Sequence, residues 1–241
     1  MNNEKVIILT GGTGYLGREI AGYLSRAGNR IYIPVQNLDK FRDIFDKSQR
    51  EENYTLNKIF GFECNATDSK SVKDFTESVS KIEKGKIDCL INTVGGIHKP
   101  VNIDESDDDI LDKIFNLNFR SAYNFSKEAA KIMKANKYGR IISISSLASL
   151  KASGGLFYYS MTKSAINLLM ETMSVELKQF DIRCNTIIPG IIDTPANREW
   201  GSKDDFKKWV KPDEIAKIIS HLISGDFDSV HSSKIKVLGY L

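Results

Sequence analysis

The stretch VIILTGGTGYLG, Val6–Gly17, decides the fold of this chain. It opens with an apolar run, which is typical of a strand buried on both faces of a parallel sheet. Glycines follow at the spacing Gly-x-x-Gly-x-x-Gly, and a helical pattern begins at Tyr15. Such glycines permit a tight turn and let a pyrophosphate approach a helix N-terminus. The stretch therefore predicts dinucleotide binding. The alternative, a purely structural turn, does not need three glycines at this spacing.

The alternation of short apolar runs and amphipathic stretches continues along the chain. The strand candidates are Lys5–Thr10, Arg30–Val35, Lys58–Glu63, Asp88–Asn92, Arg140–Ser145, Ile182–Ile188 and Lys234–Leu238. The helix candidates are Tyr15–Ala27, Asp39–Ser48, Ser69–Lys84, Ser106–Leu117, Asn118–Asn136, Tyr158–Phe180 and Pro212–Ser224. This order predicts an α/β fold: a doubly wound parallel sheet of about seven strands, flanked by helices and joined by right-handed crossovers. Nothing in residues 1–241 resembles a linker or a repeat, so we expect one Rossmann-type domain.

The composition and charge of the chain argue against several classes of function. The net charge is +3, from 34 basic and 31 acidic residues, which gives no electrostatic case for nucleic acid or an anionic membrane. No segment reaches the ~20 apolar residues that span a bilayer. The three cysteines are widely spaced in or beside apolar strands, which indicates buried thiols and a reducing cytoplasm. His221 and His231 have no partners at ligand spacing, so we expect no metal site.

Tyr159 and Lys163 stand four residues apart, which places them on one face of a predicted helix. A free phenol has a pKa near ~10, and a nearby cation lowers it. Ser146 lies thirteen residues before the tyrosine, where a preceding strand ends. A hydroxyl there polarises a carbonyl beside the phenol, which suits proton transfer coupled to carbonyl reduction or alcohol oxidation. The alternative is an ordinary helix surface carrying a tyrosine and a lysine.

Other strand ends carry polar or glycine-containing loops. Asn92 to Gly96 follows the fourth strand, and Pro189 to Pro195 follows the sixth. Asn118 opens a predicted helix, where a polar cap is the plain interpretation. The second strand ends at Gln36 and Asn37, without the acid that binds the ribose of NAD and repels a 2′-phosphate. This favours NADP(H) weakly over NAD(H).

Taken together, these motifs resemble the short-chain dehydrogenases/reductases of the compact, single-domain type, over essentially the whole chain. The resemblance implies a catalytic tetrad of Asn118, Ser146, Tyr159 and Lys163, with Tyr159 as the acid/base. Ser146 would orient the carbonyl, Lys163 would lower the Tyr159 pKa and hold the nicotinamide ribose, and Asn118 would support a proton relay. The implied cofactor site is Gly11, Thr13, Gly14, Tyr15, Leu16, Gly17, Gln36, Asn65, Ala66, Asn92, Val94, Gly95, Tyr159, Lys163, Pro189, Gly190, Ile192 and Thr194.

The same resemblance implies a small carbonyl or alcohol substrate, such as a 3-oxoacyl group. It further implies a lid over residues 195–210 and a homodimer or homotetramer formed through the two long central helices. Trp200, Phe206 and Trp209 lie in the lid, either facing substrate or packing the lid onto the core. The region after the sixth strand is also similar to dihydropteridine reductase and its bacterial relatives. Those enzymes typically lack the catalytic serine, so this second activity stays an alternative.

Three departures from the family pattern stand out. The glycine spacing is that of the longer branch of the superfamily, Asn65 replaces the frequent Asp near the adenine, and the C-terminus lacks the usual Asp-Gly-Gly. The last departure puts closure of the substrate pocket by the tail in doubt. Two further classes stay open: a catalytically idle, cofactor-sensing regulator, and an isomerase or epimerase. The regulator is expected to lack the Tyr, Lys or Ser, and the epimerase to have a longer domain after Thr194.

Overall fold

The computed structural model describes residues 4–52 and 58–240, with the backbone alone for residues 47–52. Residues 1–3 and 241, the ends of the predicted domain, lie outside the described residues. Seven parallel strands form one sheet: β1 (Val6–Thr10), β2 (Arg30–Val35), β3 (Ile59–Glu63), β4 (Cys89–Asn92), β5 (Gly139–Ile144), β6 (Ile182–Pro189) and β7 (Lys234–Val237). Their order is β3-β2-β1-β4-β5-β6-β7, which confirms the predicted Rossmann-type α/β fold. The order reverses between β1 and β4, the point where such sheets bind ligands.

Helices cover both faces of the sheet. They are α1 (Tyr15–Arg26), α2 (Leu38–Glu52), α3 (Ser69–Ile82), α4 (Asp108–Phe115), α5 (Ser121–Asn136), α6 (Phe157–Leu177), α7 (Pro195–Arg198), α8 (Lys203–Phe206) and α9 (Pro212–Ile223). Alternate residues of β1 belong to opposite cores, because side chains of a strand alternate between the two faces. Ile7 and Leu9 pack with α1, α2 and α9, whereas Val6 and Ile8 pack with α3, α5 and α6. No helix among the described residues is long and apolar enough to span a membrane.

One predicted helix boundary is wrong. We expected a helix to end at Leu117 and another to begin at Asn118. Instead α4 continues into α5 through a π-helical turn, Asn116–Arg120. Asn118 is therefore not a helix cap, and its side chain is fully buried. A π-helical turn inserts one extra residue and redirects nearby groups, often at a functional site. Its residue types do not distinguish it from a helix start.

The glycine loop interlocks β1 with α1. A Cβ added to Gly17 would lie 2.2 Å from the carbonyl oxygen of Gly11 and 2.7 Å from the Cα of Gly12. Gly11 has φ +69°, in the left-handed region that side chains disfavour, and a Cβ there would lie 2.6 Å from the Thr93 Oγ1 in the loop after β4. The helix backbone thus touches the loop backbone directly. This contact fixes where the N-terminus of α1 lies relative to the end of β1.

Replacing Gly17 by alanine forces the Cβ into the Gly11 carbonyl, and neither backbone segment has a flexible end that can move away. We expect Gly17→Ala to lower the free energy of unfolding by about 2–4 kcal/mol. Urea unfolding followed by circular dichroism measures it. Gly154→Ala is the matched control, because a Cβ at Gly154 meets nothing within 4 Å. Equal unfolding midpoints for the two variants contradict the close-contact argument.

Candidate active site

A cleft of about 400 Å³ opens at the carboxyl ends of β4, β5 and β6, beside the start of α1. It is lined by Leu16, Thr93, Gly95, Gly96, Ile97, Ile144, Ser145, Ser146, Ala148, Leu156, Tyr159, Lys163, Pro189, Gly190, Ile191, Ile192, Asn197 and Trp200. We call it the carboxyl-end cleft. A larger cavity of about 1060 Å³ lies at the opposite edge of the sheet, around Lys5, Asn29 and Asp88. The predicted Ser, Tyr and Lys all line the carboxyl-end cleft, and none of them lines the larger cavity.

The side chains of Ser146, Tyr159 and Lys163 meet in this cleft. Lys163 is buried on α6, its Nζ donates to the Ile144 carbonyl oxygen at 3.0 Å, and it lies 5.8 Å from the centre of the Tyr159 ring. Ser145 is also buried, but its hydroxyl donates to the Lys163 carbonyl oxygen at 3.0 Å. Ser145 therefore fastens α6 to β5, and Ser146 is the serine that faces the phenol.

Burial controls the protonation of these groups. Burial raises the pKa of the Tyr159 phenol, and hydrogen bonding with Ser146 opposes the rise. Burial also lowers the pKa of Lys163 to about 8. The expected lowering of the Tyr159 pKa by Lys163 is not found, because both groups lose water and both are pushed toward their neutral forms. At neutral pH the phenol of the protein by itself keeps its proton.

Asn118 lies behind the cleft and joins two of its walls. Its Oδ1 accepts from the Gly96 amide at 2.8 Å, and its Nδ2 donates to the Gly96 carbonyl oxygen at 3.0 Å and to the Thr162 Oγ1 at 3.0 Å. Thr162 in turn donates to the Tyr159 carbonyl oxygen at 2.9 Å. Asn118 thus ties the loop after β4 to α6. The sequence reasoning missed Thr162, which is fully buried between Tyr159 and Lys163.

The start of α1 has the form of an anion site. Gly14 occupies the N-cap position, where it has no side chain to accept from the first amides of the helix. The first turn contains no acidic residue. The N–H groups of a first turn have no partner within the helix, so an uncapped start favours a phosphate. A Cβ at Gly14 would meet only the Gly11 carbonyl oxygen, at 3.3 Å, so the protein's own packing leaves this side open.

Lys163 also fits a dinucleotide. An ammonium has three N–H donors, and Ile144 takes one of them. A Cβ at Gly95 would come within 3.0 Å of the Lys163 Nζ, so a side chain there would crowd the ammonium. The residues present therefore fit a dinucleotide: α1 would hold the pyrophosphate, and Lys163 the ribose of the nicotinamide.

The remaining predicted cofactor residues lie along the same edge of the sheet. Thr13, Tyr15, Gln36, Asn65, Ala66, Val94 and Thr194 all stand in or beside loops that follow strands. Gln36 is exposed, and Asn37 caps α2 by accepting from the Lys40 amide at 2.8 Å. The Asn65 Oδ1 accepts from the Thr67 amide at 3.1 Å and so shapes its own turn. Asn92 is buried and donates to Ser126 and Ser143, so only its backbone faces the loop.

The segment after β6 is held at its base by ion pairs of the buried Asp193 with the partly exposed Arg198 and Lys211. Asp193 accepts from Arg198 at 2.8 Å and from Lys211 at 2.6 Å, and Arg198 and Lys211 lower its pKa to about 2. Next to it, Ile192 and Val210 form a parallel bridge. Residues 194–209 thus leave the sheet and return to the same point. Thr194 caps α7 by accepting from the Asn197 amide at 3.2 Å.

Two of the aromatic residues in this segment differ in role. Trp209 is buried and packs against Phe206 with ring centres 5.0 Å apart, whereas Trp200 is 64% exposed and lines the cleft. The C-terminal tail contacts this segment, since the Tyr240 amide donates to the Lys208 carbonyl oxygen at 2.9 Å. Gly239 permits the close approach, because a Cβ there would lie 2.1 Å from the same oxygen. Residues 238–240 are not among those that line the cleft.

A Ser–Tyr–Lys group in a cleft beside a dinucleotide cradle defines an NAD(P)-dependent oxidoreductase, and comparison with known proteins agrees. The family model for short chain dehydrogenases matches residues 5–205. The chain belongs to the short-chain dehydrogenase/reductase family. It is 31% identical to a 7alpha-hydroxysteroid dehydrogenase of Paraclostridium sordellii over 85% of this chain and 75% of that protein.

Two further relatives match along nearly the full length. A 3-oxoacyl-acyl-carrier-protein reductase of Rickettsia conorii is 25% identical over 98% of this chain and 95% of that protein. The solved structure of ElxO with NADP bound superimposes with a TM-score of 0.89 at 23% identity, covering 98% of each chain. This structural likeness shows the shared fold. Among the described residues, no group of three or more His, Cys, Asp or Glu side chains is placed to hold a metal ion.

The pKa of Lys163 makes stability depend on pH. Folding lowers this pKa from 10.5 to about 8, so between these values the unfolded chain binds one proton more than the folded protein. Stability therefore rises with pH across this window. We expect the free energy of unfolding of the wild type, minus that of Lys163→Met, to rise by about 1 kcal/mol per pH unit from pH ~8 to ~10.

Urea unfolding at pH values from about 7 to about 10 measures this difference. Lys113→Met, at an exposed position on α4, is the matched control and should leave the pH profile parallel to that of the wild type. Parallel profiles for Lys163→Met and the wild type contradict the buried-ammonium assignment.

Proposed function

We propose that this enzyme reduces a ketone to a secondary alcohol with NADPH, and that Tyr159 is the acid that protonates the oxygen. One observation carries the proposal: Ser146, Tyr159 and Lys163 meet in the carboxyl-end cleft, next to the uncapped start of α1. A ketone in this cleft has its oxygen within reach of two hydroxyls. A bound dinucleotide supplies the hydride for the carbonyl carbon.

The protein's own groups govern the proton. A free tyrosine has a pKa of about 10 and burial raises that of Tyr159 further, so the phenol carries a proton at neutral pH that it can donate as negative charge develops on the oxygen. Ser146 donates a second hydrogen bond to the same oxygen and orients the carbonyl. Lys163 holds the nicotinamide ribose, and its charge supports the phenolate left after proton transfer. Asn118 acts through Gly96 and Thr162 as a positioning residue, beside its inferred part in a proton relay.

We propose NADP(H) as the preferred cofactor. The end of β2 carries Gln36 and Asn37, so no carboxylate stands there to repel a 2′-phosphate. Lys40, exposed in the first turn of α2, adds positive charge nearby. For the substrate, the family likeness leaves two chemical classes: 3-oxoacyl thioesters, and free ketones such as those related to hydroxysteroids. The free, buried cysteines support a reducing, cytoplasmic location.

Removing the Tyr159 hydroxyl tests the proposed acid. We expect Tyr159→Phe to lower kcat for ketone reduction by at least about 100-fold, because general acid catalysis contributes about 10²–10⁴-fold. Quenching of tryptophan fluorescence should show that NADPH binds the variant as tightly as the wild type, and both more tightly than NADH. Tyr158→Phe is the matched control, because Tyr158 is buried beside His98 and does not line the cleft. Full turnover by Tyr159→Phe would refute the mechanism.

We also propose that the chain forms a dimer or tetramer through α5 and α6. These helices bury one face in the core, yet Tyr123, Leu168 and Val175 are exposed on them. Large apolar side chains gathered on one surface mark an interface with another chain. The four-helix contact between copies would cover them.

Light scattering at micromolar concentration is expected to give at least twice the mass of one chain. The double substitution Leu168→Glu with Val175→Glu should give the mass of one chain, because it buries two charges in the proposed contact. Ile82→Glu, at an exposed apolar position on α3, is the control and should leave the mass unchanged. A wild type with the mass of one chain contradicts the proposal.

A further inference from the structure

The walls of the carboxyl-end cleft are apolar away from its reactive floor. Lys163 is the one charged side chain among the described residues that line it, and that ammonium is buried and bonded to Ile144. Leu156, Ile191 and Ile192 form much of the rest of the lining. A carboxylate or phosphate on the substrate would therefore find no charged partner on these walls, and burying such a charge unpaired is costly.

The mouth of the cleft carries large apolar side chains in solvent. Ile97 is 62% exposed, Ile191 is 42% exposed, and Trp200 is 64% exposed. All three line the cleft, so they form one concave surface that continues to Ser146 and Tyr159. Scattered exposed apolar residues need no explanation, but a concave group beside a reactive site marks a ligand surface.

Charge around the mouth disfavours an anionic carrier. The chain that leaves the cleft at Ile97 is held by a hydrogen bond from the Val101 amide to the Gly155 carbonyl oxygen, 3.0 Å, and then runs into the exposed acids of residues 104–109. Residues 96–109 carry five acidic residues against one lysine, whereas residues 191–210 carry four acidic and four basic residues. Beyond the cleft-lining Ile191 and Ile192, Arg198 and Lys211 are both paired with Asp193. The exposed acids of residues 104–109 would repel an anionic thioester carrier that approached along this part of the chain.

We propose that the substrate is a bulky, uncharged, apolar ketone, of fused-ring size, whose rings pack against Trp200 and Ile97. This inference rests on the proposed ketone reduction and chooses between its two substrate classes. The cleft, about 400 Å³, would also hold the nicotinamide end of the dinucleotide, so a rigid ring system extends from Tyr159 over the exposed apolar surface at the mouth. Trp200 is the main specificity residue, because it presents the largest apolar area at the mouth.

The test compares three carbonyl compounds with NADPH as reductant: 1-decalone as an uncharged fused-ring ketone, butanone as a small one, and acetoacetyl-CoA as an anionic thioester. We expect kcat/KM to be highest for 1-decalone. Trp200→Ala should raise the KM for 1-decalone about tenfold and leave kcat, the KM for butanone and NADPH binding unchanged. Calorimetric titration of the NADP⁺-bound enzyme with 1-decalone should show the same loss of affinity.

Phe227→Ala is the matched control, because Phe227 is 41% exposed, packs on His221 and lies toward the opposite edge of the sheet. Preference for acetoacetyl-CoA, or equal effects of Trp200→Ala and Phe227→Ala on the KM for 1-decalone, would overturn the inference. Tyr159-dependent turnover would in that case leave the proposed ketone reduction standing. Absence of turnover with all three compounds would overturn both.

Discussion

The contact between the Gly17 backbone and the Gly11 carbonyl is the constraint on which the rest of the site depends. β1 pairs with β2 on one side and β4 on the other, so it is the strand from which both halves of the sheet are wound. Because no side chain separates α1 from the loop, the helix starts directly above the end of β1. The partial positive charge of the α1 N-terminus therefore lies where the strand order reverses between β1 and β4, next to the loop after β4.

In a second set of contacts, polar side chains near the cleft form hydrogen bonds within the protein, so they are not available to a ligand. The Asn118 amide is occupied by Gly96 and Thr162, and the Ser145 hydroxyl by the backbone of Lys163. Buried polar groups that are fully paired rigidify the elements they join. What remains directed toward the cleft is the Ser146 hydroxyl, the Tyr159 phenol and the remaining N–H donors of Lys163. The reactivity of the site is thus defined as much by which groups are already paired as by which are present.

The sequence predicted the features that follow from local pattern. Apolar runs located all seven strands, the glycine spacing located the start of α1, and the i to i+4 rule placed Tyr159 beside Lys163. It failed where the outcome depends on three-dimensional surroundings. The π-helical turn at Asn118 has no distinctive composition, and the contact of the tail with Lys208 joins distant residues. The direction in which the pKa of Tyr159 shifts depends on burial, and the spacing of Tyr159 and Lys163 in the sequence does not reveal burial.

Burial links the proposed chemistry to the proposed substrate. Burial raises the pKa of the Tyr159 phenol, so the side chain that would act as the general acid stays protonated at neutral pH, as it is in water. The same burial lowers the pKa of Lys163. At neutral pH both groups are therefore closer to their uncharged forms than they would be in water. An uncharged, apolar ketone entering this cleft adds to the exclusion of water and preserves that state. A charged substrate would bring water and counter-charge with it and shift both groups. The pKa shifts of both groups and the proposed preference for an apolar ketone therefore have one physical origin, the low polarity of the cleft.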